Sequence, residues 1–355
     1  MTALLFNQRV DLDDPGQGVA IDWLQALASR VDRLIVLTHH AGRLPRFDNV
    51  VLYSAGRERG WSEARRAWHF VATLRRILKT ERPAFCLSHM VPVSTVLAGP
   101  FLNARDIPIL QWYTHRGTPW ELKVATRFAR HILTATPDSF RLKTPKVVVT
   151  GHGIPTERFT PAGQPAHHAV PRLLTVGRLS PIKNLETIVD AIAGLRQRGL
   201  SVSLDIAGAA RVDDDVDYEA RLKSRIRVLG IDDAVVFRGA VPRDRLIGVY
   251  RDADIFVHAC DSGLDKAGLE AMSCGVPLVS SSTGFRELLN ETRPDLIVPH
   301  GDADALADRL ETLVKMPAED RRSLGMSLRA LVQQQHDLSR LMDRILVLGT
   351  EQGHA

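Results

Sequence analysis

The chain has little that would staple or anchor it. Its three cysteines, Cys86, Cys260 and Cys274, are too few and too scattered for a disulfide framework, and they lack metal-ligand spacing; both points suit a reducing compartment. No apolar run approaches the roughly 18 residues that a spanning helix needs. The opening MTALLFNQRVDLDD has no basic segment followed by a long apolar one, so no secretory signal is expected. Short-period repeats and low-complexity tracts are also missing, and no nucleic-acid reading motif accompanies the modest net charge of +5.

What is present is core. With 355 residues, 45% of them apolar, the chain can fill two domains. Short β-branched runs alternate with helical patterns. ALLFNQ, RLIVLTHH, VVLYS, FCLSHM, IPILQWYTH, HILTATP and KVVVTGHG fill the first half, and RLLTVGRL, VSLDIAG, AVVFRGAV, DIFVHAC, VPLVSSS and DLIVP the second. Repeated βα alternation predicts an α/β fold of two doubly wound, Rossmann-like domains with parallel sheets. The Pro-, Gly- and His-rich stretch from Pro155 to Pro171 reads as the linker, which puts the domains at 1–163 and 164–335.

Positive charge is unevenly placed. Between Arg57 and Arg82, Arg65, Arg66, Arg75, Arg76 and Lys79 interleave with Trp61, Trp68, Phe70, Leu74, Ile77 and Leu78 at helical spacing. Such a helix, near 61–80, is either a core helix with a solvated basic face or a surface for anionic lipid headgroups. The protein is therefore expected to be cytoplasmic, with contact at the inner membrane face as the alternative.

Ligands in open α/β sheets sit beyond the carboxyl ends of the strands, so polar residues there are the candidates. After the first strand, Gly16 and Gly18 flank a turn that either lets backbone approach an anion or is simply flexible. After the first strand of the second half, GRLSPIKN sets Arg178 and Lys183 around a proline turn, with Asn184 placed to cap the next helix. An arginine fork beside a mobile lysine suits a diphosphate. In DSGLDKAGLEAMSCGVPLVSSS, Gly263 permits close approach, Asp265 caps a helix, and the N–H groups near Lys266 and Ala267 can face an anion. Glu270 on that helix is either a ligand contact or an exposed helix charge. Met272 and Cys274 read as core. His115 follows the strand IPILQ, and His39 and His40 end LIVLT without ligand spacing.

GRLSPIKN, VSLDIAG, VVFRGAV, GLDKAGLEAMSCGVPLVSSSTGFREL and DLIVPHGDADALADRL together resemble family 4 of the retaining glycosyltransferases, with the GT-B fold. The likeness is strong over the second half and loose over the first. It implies that Arg178 and Lys183 bind the donor diphosphate and that Glu270 accepts hydrogen bonds from the nucleotide ribose. It also implies that His115 touches the donor sugar and that the last helix, about 336–355, crosses back onto the first domain. The family's first glutamate falls at Ser262, which carries no charge; the contact to the donor sugar is then either weaker or supplied by a neighbour such as Asp261 or Asp265. The implied partners are a nucleotide-sugar donor and a glycan or lipid-linked acceptor, with no metal and no cofactor, in a same-face reaction whose departing phosphate helps deprotonate the acceptor. A non-catalytic sugar-nucleotide-binding scaffold, or a GT-B enzyme of another reaction such as an epimerase, is the competing reading.

Overall fold

The structure, a computed structural model, describes residues 1–12, 18–163, 168–210, 213–261 and 263–351. The chain forms two units, Met1–Gly153 with His336–Ala355, and Ile154–Gln335.

The first unit is built on a parallel sheet in the order β3-β2-β1-β4-β5-β6-β7. Its strands are β1 (Thr2–Val10), β2 (Arg33–Ala41), β3 (Val50–Ser54), β4 (Phe85–His89), β5 (Ile109–Trp112), β6 (His131–Thr134) and β7 (Val147–Val149). Central strands of a parallel sheet are covered on both faces and read as unbroken apolar runs. In β1, Ala3 and Leu5 face one core with Trp23 and Leu27 of α1 (Gly18–Ala28) and Leu341 and Ile345 of α12 (Leu338–Thr350). Leu4 and Phe6 face the other, with Phe70, Leu74 and Ile77 of α2 (Glu63–Thr80) and Leu102 of α3 (Pro92–Asn103). The period of two in the strand thus feeds two helical layers.

The basic helix is α2, entered through a 3₁₀ turn at Arg57–Arg59 and capped by the Ser62 side chain on the Arg65 N–H. One expectation fails: Trp68 is 71% exposed, not on the buried face with Phe70, Leu74, Ile77 and Leu78. The residues it neighbours at helical spacing, Arg65 and Arg75, are exposed as well.

The second unit carries a five-stranded parallel sheet in the order β10-β9-β8-β11-β12. Its strands are β8 (Arg172–Val176), β9 (Ser203–Ala207), β10 (Val235–Gly239), β11 (Ile255–His258) and β12 (Leu278–Ser280). A single core unites it: Ile188 and Ile192 of α5 (Leu185–Gln197), Leu310 of α10 (Ala303–Lys315), Leu269 and Met272 of α8 (Lys266–Ser273), and Leu328 of α11 (Ala318–Gln335). DLIVP, expected as a strand, is instead a 3₁₀ turn at Pro294–Leu296 followed by one bridge, Ser280 to Ile297; Pro294 lacks the N–H a ladder requires.

The division after Gly153 lies ahead of the expected boundary at 163. Residues 154–163 go with the second unit because Phe159 is fully buried in its core. The Phe159 carbonyl accepts from Ser273 Oγ (2.6 Å) and from buried Arg329 (2.8 Å), whose other nitrogen reaches the Thr156 carbonyl (3.1 Å). At the far end, α12 packs on α1, β4 and β5 of the first unit.

Candidate functional site

In the second unit the candidate residues gather at the carboxyl ends of β8 and β11. Leaving β8, the chain passes Gly177 in an open backbone conformation (φ +153°) and makes a 3₁₀ turn at Pro181–Lys183. The Lys183 stem then folds back over Gly177: a Cβ there would lie 2.8 Å from Lys183 Cε, so a larger residue would displace the lysine. Asn184 does not cap α5. It adopts the left-handed conformation (φ 46°, ψ 50°) with no side-chain cap, and the Tyr218 hydroxyl accepts from the Leu185 N–H instead (2.9 Å).

Both cations of this turn face a carboxylate. Arg178, with a side chain 48% exposed, lies 3.6 Å from the buried Asp215 of α6 (Asp213–Leu229). Lys183 forms an ion pair and hydrogen bond with Asp265 Oδ2. Burial presses the Lys183 ammonium towards neutrality, but Asp265 outweighs it and the pKa rises.

Asp265 joins the two strand ends. Its Oδ1 accepts from the Ala267 N–H (3.1 Å), capping α8 as the sequence suggests, while its Oδ2 takes Lys183. The Ala267 N–H expected to face an anion is therefore engaged by this cap. Across from it stands His258, the last residue of β11, 4% exposed, with Nε2 3.5 Å from Asp265 Oδ2 and Nδ1 3.0 Å from Ser280 Oγ. Burial alone would lower the imidazole pKa, but Asp265 and the adjacent Cys260 raise it to about 9. Burial would likewise raise the Asp265 carboxyl, yet Lys183 and His258 hold it far below the usual carboxylate range. Nitrogen, sulfur and oxygen atoms of His258, Cys260 and Asp265 lie within 4.8 Å of one another, and the cation they face is the Lys183 ammonium.

Glu270 is not an exposed helix charge. It is 3% exposed on α8, with Oε1 accepting from Arg243 (2.9 Å) and Oε2 from the Tyr250 hydroxyl (3.0 Å). Burial raises its pKa, a shift that Arg243 and Tyr250 partly oppose. The Arg243 guanidinium also sits over the Phe159 ring, 5.1 Å from its centroid. Gly263 has φ +86°, a left-handed value that suits glycine, and Lys266 opens α8; Ser262 lies outside the described residues. Cys274 is buried, which pushes its thiol up to about 12, away from nucleophilic use.

In the first unit, β5 ends at Trp112, so His115 lies three residues beyond the strand, exposed, its Nδ1 accepting from the Gly117 N–H (2.9 Å). Gly18 opens α1, and Gly16 lies outside the described residues. His39 is no free strand-end ligand: it bonds Ser94 Oγ (2.8 Å) and stacks on Phe70.

Sequence reasoning missed four residues that shape the site: Asp215, Arg243, Tyr250 and His258. Only His258 left a signal, a histidine closing the apolar run DIFVHAC. A separate cavity of about 220 Å³ in the second unit involves Asp254, just before β11, and Pro277, just before β12. It therefore opens at the amino ends of these strands, away from Lys183.

Comparison with known proteins places this geometry. Residues 170–316 match the family described as Glycosyl transferases group 1. The amylovoran biosynthesis glycosyltransferase AmsK of Erwinia amylovora is 34% identical over 170 residues, 46% of this chain and 40% of that protein. A D-inositol 3-phosphate glycosyltransferase of Arthrobacter sp. strain FB24 is 33% identical over 175 residues, 47% of this chain and 41% of that one. The chain thus spans less than half the length of these relatives. Across 98% of both chains, the structure resembles Anabaena Alr3699/HepE, solved with UDP and glucose, at a TM-score of 0.75 and 17% identity. A sucrose-phosphate synthase from Thermosynechococcus elongatus, also covered at 98%, gives 0.78 at 18% identity. The chain therefore has the GT-B fold, and within its second unit residues 170–316 are similar to the group 1 glycosyltransferases.

Proposed function

We propose that this protein is a retaining glycosyltransferase that moves a sugar from a nucleoside-diphosphate sugar to an acceptor hydroxyl, in the assembly of a polysaccharide, glycolipid or other glycoconjugate. The observation that carries the proposal is the pair of cations on one strand-end turn, Arg178 half exposed and Lys183 folded over Gly177. In the reaction, the bond from the anomeric carbon to the donor phosphate breaks and a bond to the acceptor oxygen forms on the same face. The acceptor proton passes to the departing phosphate. Arg178 and Lys183 offset the charge that develops there, electrostatic stabilisation that needs no metal and no cofactor. Glu270, its carboxylate aligned by Arg243 and Tyr250, accepts from the nucleotide ribose. The AmsK likeness favours a polysaccharide product, and the fold shared with a protein solved with UDP and glucose favours a nucleotide-sugar donor.

Calorimetric titration with UDP-, GDP- and ADP-sugars tests the donor site. One of them should bind in the micromolar range and lose at least tenfold in affinity in Arg178→Ala and Glu270→Ala, about the loss of one charge-assisted contact. No binding to any would move the reading to a non-catalytic scaffold. Contact with an anionic inner membrane face through α2 is the second part of the proposal, favoured by exposed Trp68 among exposed Arg65, Arg75, Arg76 and Lys79. Replacing Arg75, Arg76 and Lys79 by Gln should abolish co-sedimentation with anionic vesicles; unchanged binding removes this contact.

A further inference from the structure

Lys183 cannot serve two anions equally. Its ammonium is hydrogen-bonded to Asp265, so a donor diphosphate competes with that carboxylate for its charge. A carboxylate stripped of its counter-charge is destabilising where, as at Asp265, only 24% of the side chain reaches solvent. Asp265 is not free to escape into solvent, because its other oxygen caps α8 on the Ala267 N–H. Something must therefore compensate Asp265 when the lysine departs.

His258 is placed for that work. Its ring is fixed on three sides: the chain of β11, the Ser280 hydroxyl at 3.0 Å on Nδ1, and the Phe285 ring packed edge-on at 5.2 Å. Ser280 Oγ also accepts from the Ser282 N–H (3.1 Å), so the hydroxyl's position is itself set by backbone. The remaining ring nitrogen, Nε2, is buried, makes no hydrogen bond, and points at Asp265 Oδ2 from 3.5 Å. The titratable groups facing the ring are Asp265 before α8, Lys183 from the turn after β8, and Cys260 on its own loop.

We propose that His258 is a positioning residue of the anion site: by holding the Asp265 carboxylate compensated, it releases the Lys183 ammonium to the diphosphate of a donor. The inference rests on the donor-site reading above and adds to it a residue that touches neither donor nor acceptor. In the ligand-free protein Asp265 is shared between lysine and imidazole. With the diphosphate bound, the imidazole has Asp265 to itself, the Nε2–H closes to a full hydrogen bond, and its proton is held more tightly. Binding is then accompanied by proton uptake wherever His258 is partly deprotonated, near pH 9.

The test uses the full chain with isotope-labelled histidine, the His258 resonance being identified by its loss in His258→Gln. Its titration midpoint is followed by NMR in the free protein, in Lys183→Met, and in the presence of saturating pyrophosphate and of saturating UDP. The midpoint should rise by about one pH unit in Lys183→Met, where the competing cation is gone, and move the same way with either ligand in the wild type. Calorimetry at pH 9 in two buffers of different ionisation enthalpy should show net proton uptake on UDP binding, absent in His258→Gln. That variant should bind UDP about tenfold more weakly at pH 7, with circular dichroism unchanged, the loss expected for a charge-assisted contact. A midpoint that stays fixed in Lys183→Met overturns the shared carboxylate. If UDP or pyrophosphate binds and the midpoint does not move, the release of the lysine is overturned and the donor site stands. If neither binds, the donor site falls and the positioning role falls with it.

Discussion

The two units treat buried histidine in opposite ways. In the first, His39 sits against Ser94 and Phe70 near Arg66 and Arg57, and burial followed by those two cations lowers its pKa to about 4. His336, at the start of the returning segment, is lowered to about 4 by burial alone. In the second, His258 is as buried as His336 and more buried than His39, but it meets a carboxylate and is raised to about 9. Desolvation disfavours the charged imidazole in all three; only a partner of opposite sign reverses it. The first unit thus keeps His39 and His336 neutral, whereas the second keeps a charged ring beside Asp265 at the end of β11.

The largest effect should come from removing the partner. Asp265→Asn leaves Lys183 and His258 without their counter-charge, and should cost about 2 to 3 kcal/mol, below the top of the range for a buried pair because Lys183 and Asp265 are 20% and 24% exposed. Slowed exchange of the β8 and β11 amides should be lost, while the first unit is unaffected. The units can be read separately because all five tryptophans, at 23, 61, 68, 112 and 120, lie in the first. An equal drop in the urea midpoint by tryptophan fluorescence would break the comparison.

A smaller effect should appear with pH, in windows that differ by unit. His258 binds its proton more tightly folded than unfolded, so its contribution is whole below pH 6.5 and is lost as pH rises through about 9. His39 and His336 bind theirs less tightly when folded, so their contribution is present above pH 6.5 and is lost as pH falls through about 4. Fluorescence-detected stability should therefore fall on acidification and hold on the alkaline side. Amide exchange in β11 should quicken on the alkaline side. His39→Gln, which keeps a bond for Ser94 but cannot titrate, should remove about half of the acid loss, His336 supplying the rest. An acid profile untouched by His39→Gln would show that the ring is not the source.

The fold was legible because periodicity speaks for itself: the central strands are mostly apolar runs, broken by single polar residues such as Gln111 in β5 and Asp205 in β9. What deceived was local. IPILQWYTH looks like one strand, yet pairing stops at Trp112 and leaves His115 in a loop. DLIVP has strand composition, but Pro294 just before it, in the 3₁₀ turn, refuses the ladder. Trp68 is apolar but lies nine residues from Ile77, half a turn away from the buried face of its helix, and stands outside. At the site, Arg178, Lys183, Asp265 and Glu270 announce themselves by motif. Their partners Asp215, Arg243 and Tyr250 do not, because contacts such as that between Arg243 and Glu270, 27 residues apart, leave no spacing to read.

The Lys183–Asp265 pair has one more consequence, for what the site ignores. An open pair of cations would fill with any abundant anion, inorganic phosphate first. Here an incoming anion must outbid a carboxylate already in place, and a single weakly held charge does so poorly. On the proposed donor-site reading, the internal ion pair acts as a threshold that favours ligands of higher charge density, before the shape of any sugar or base is consulted.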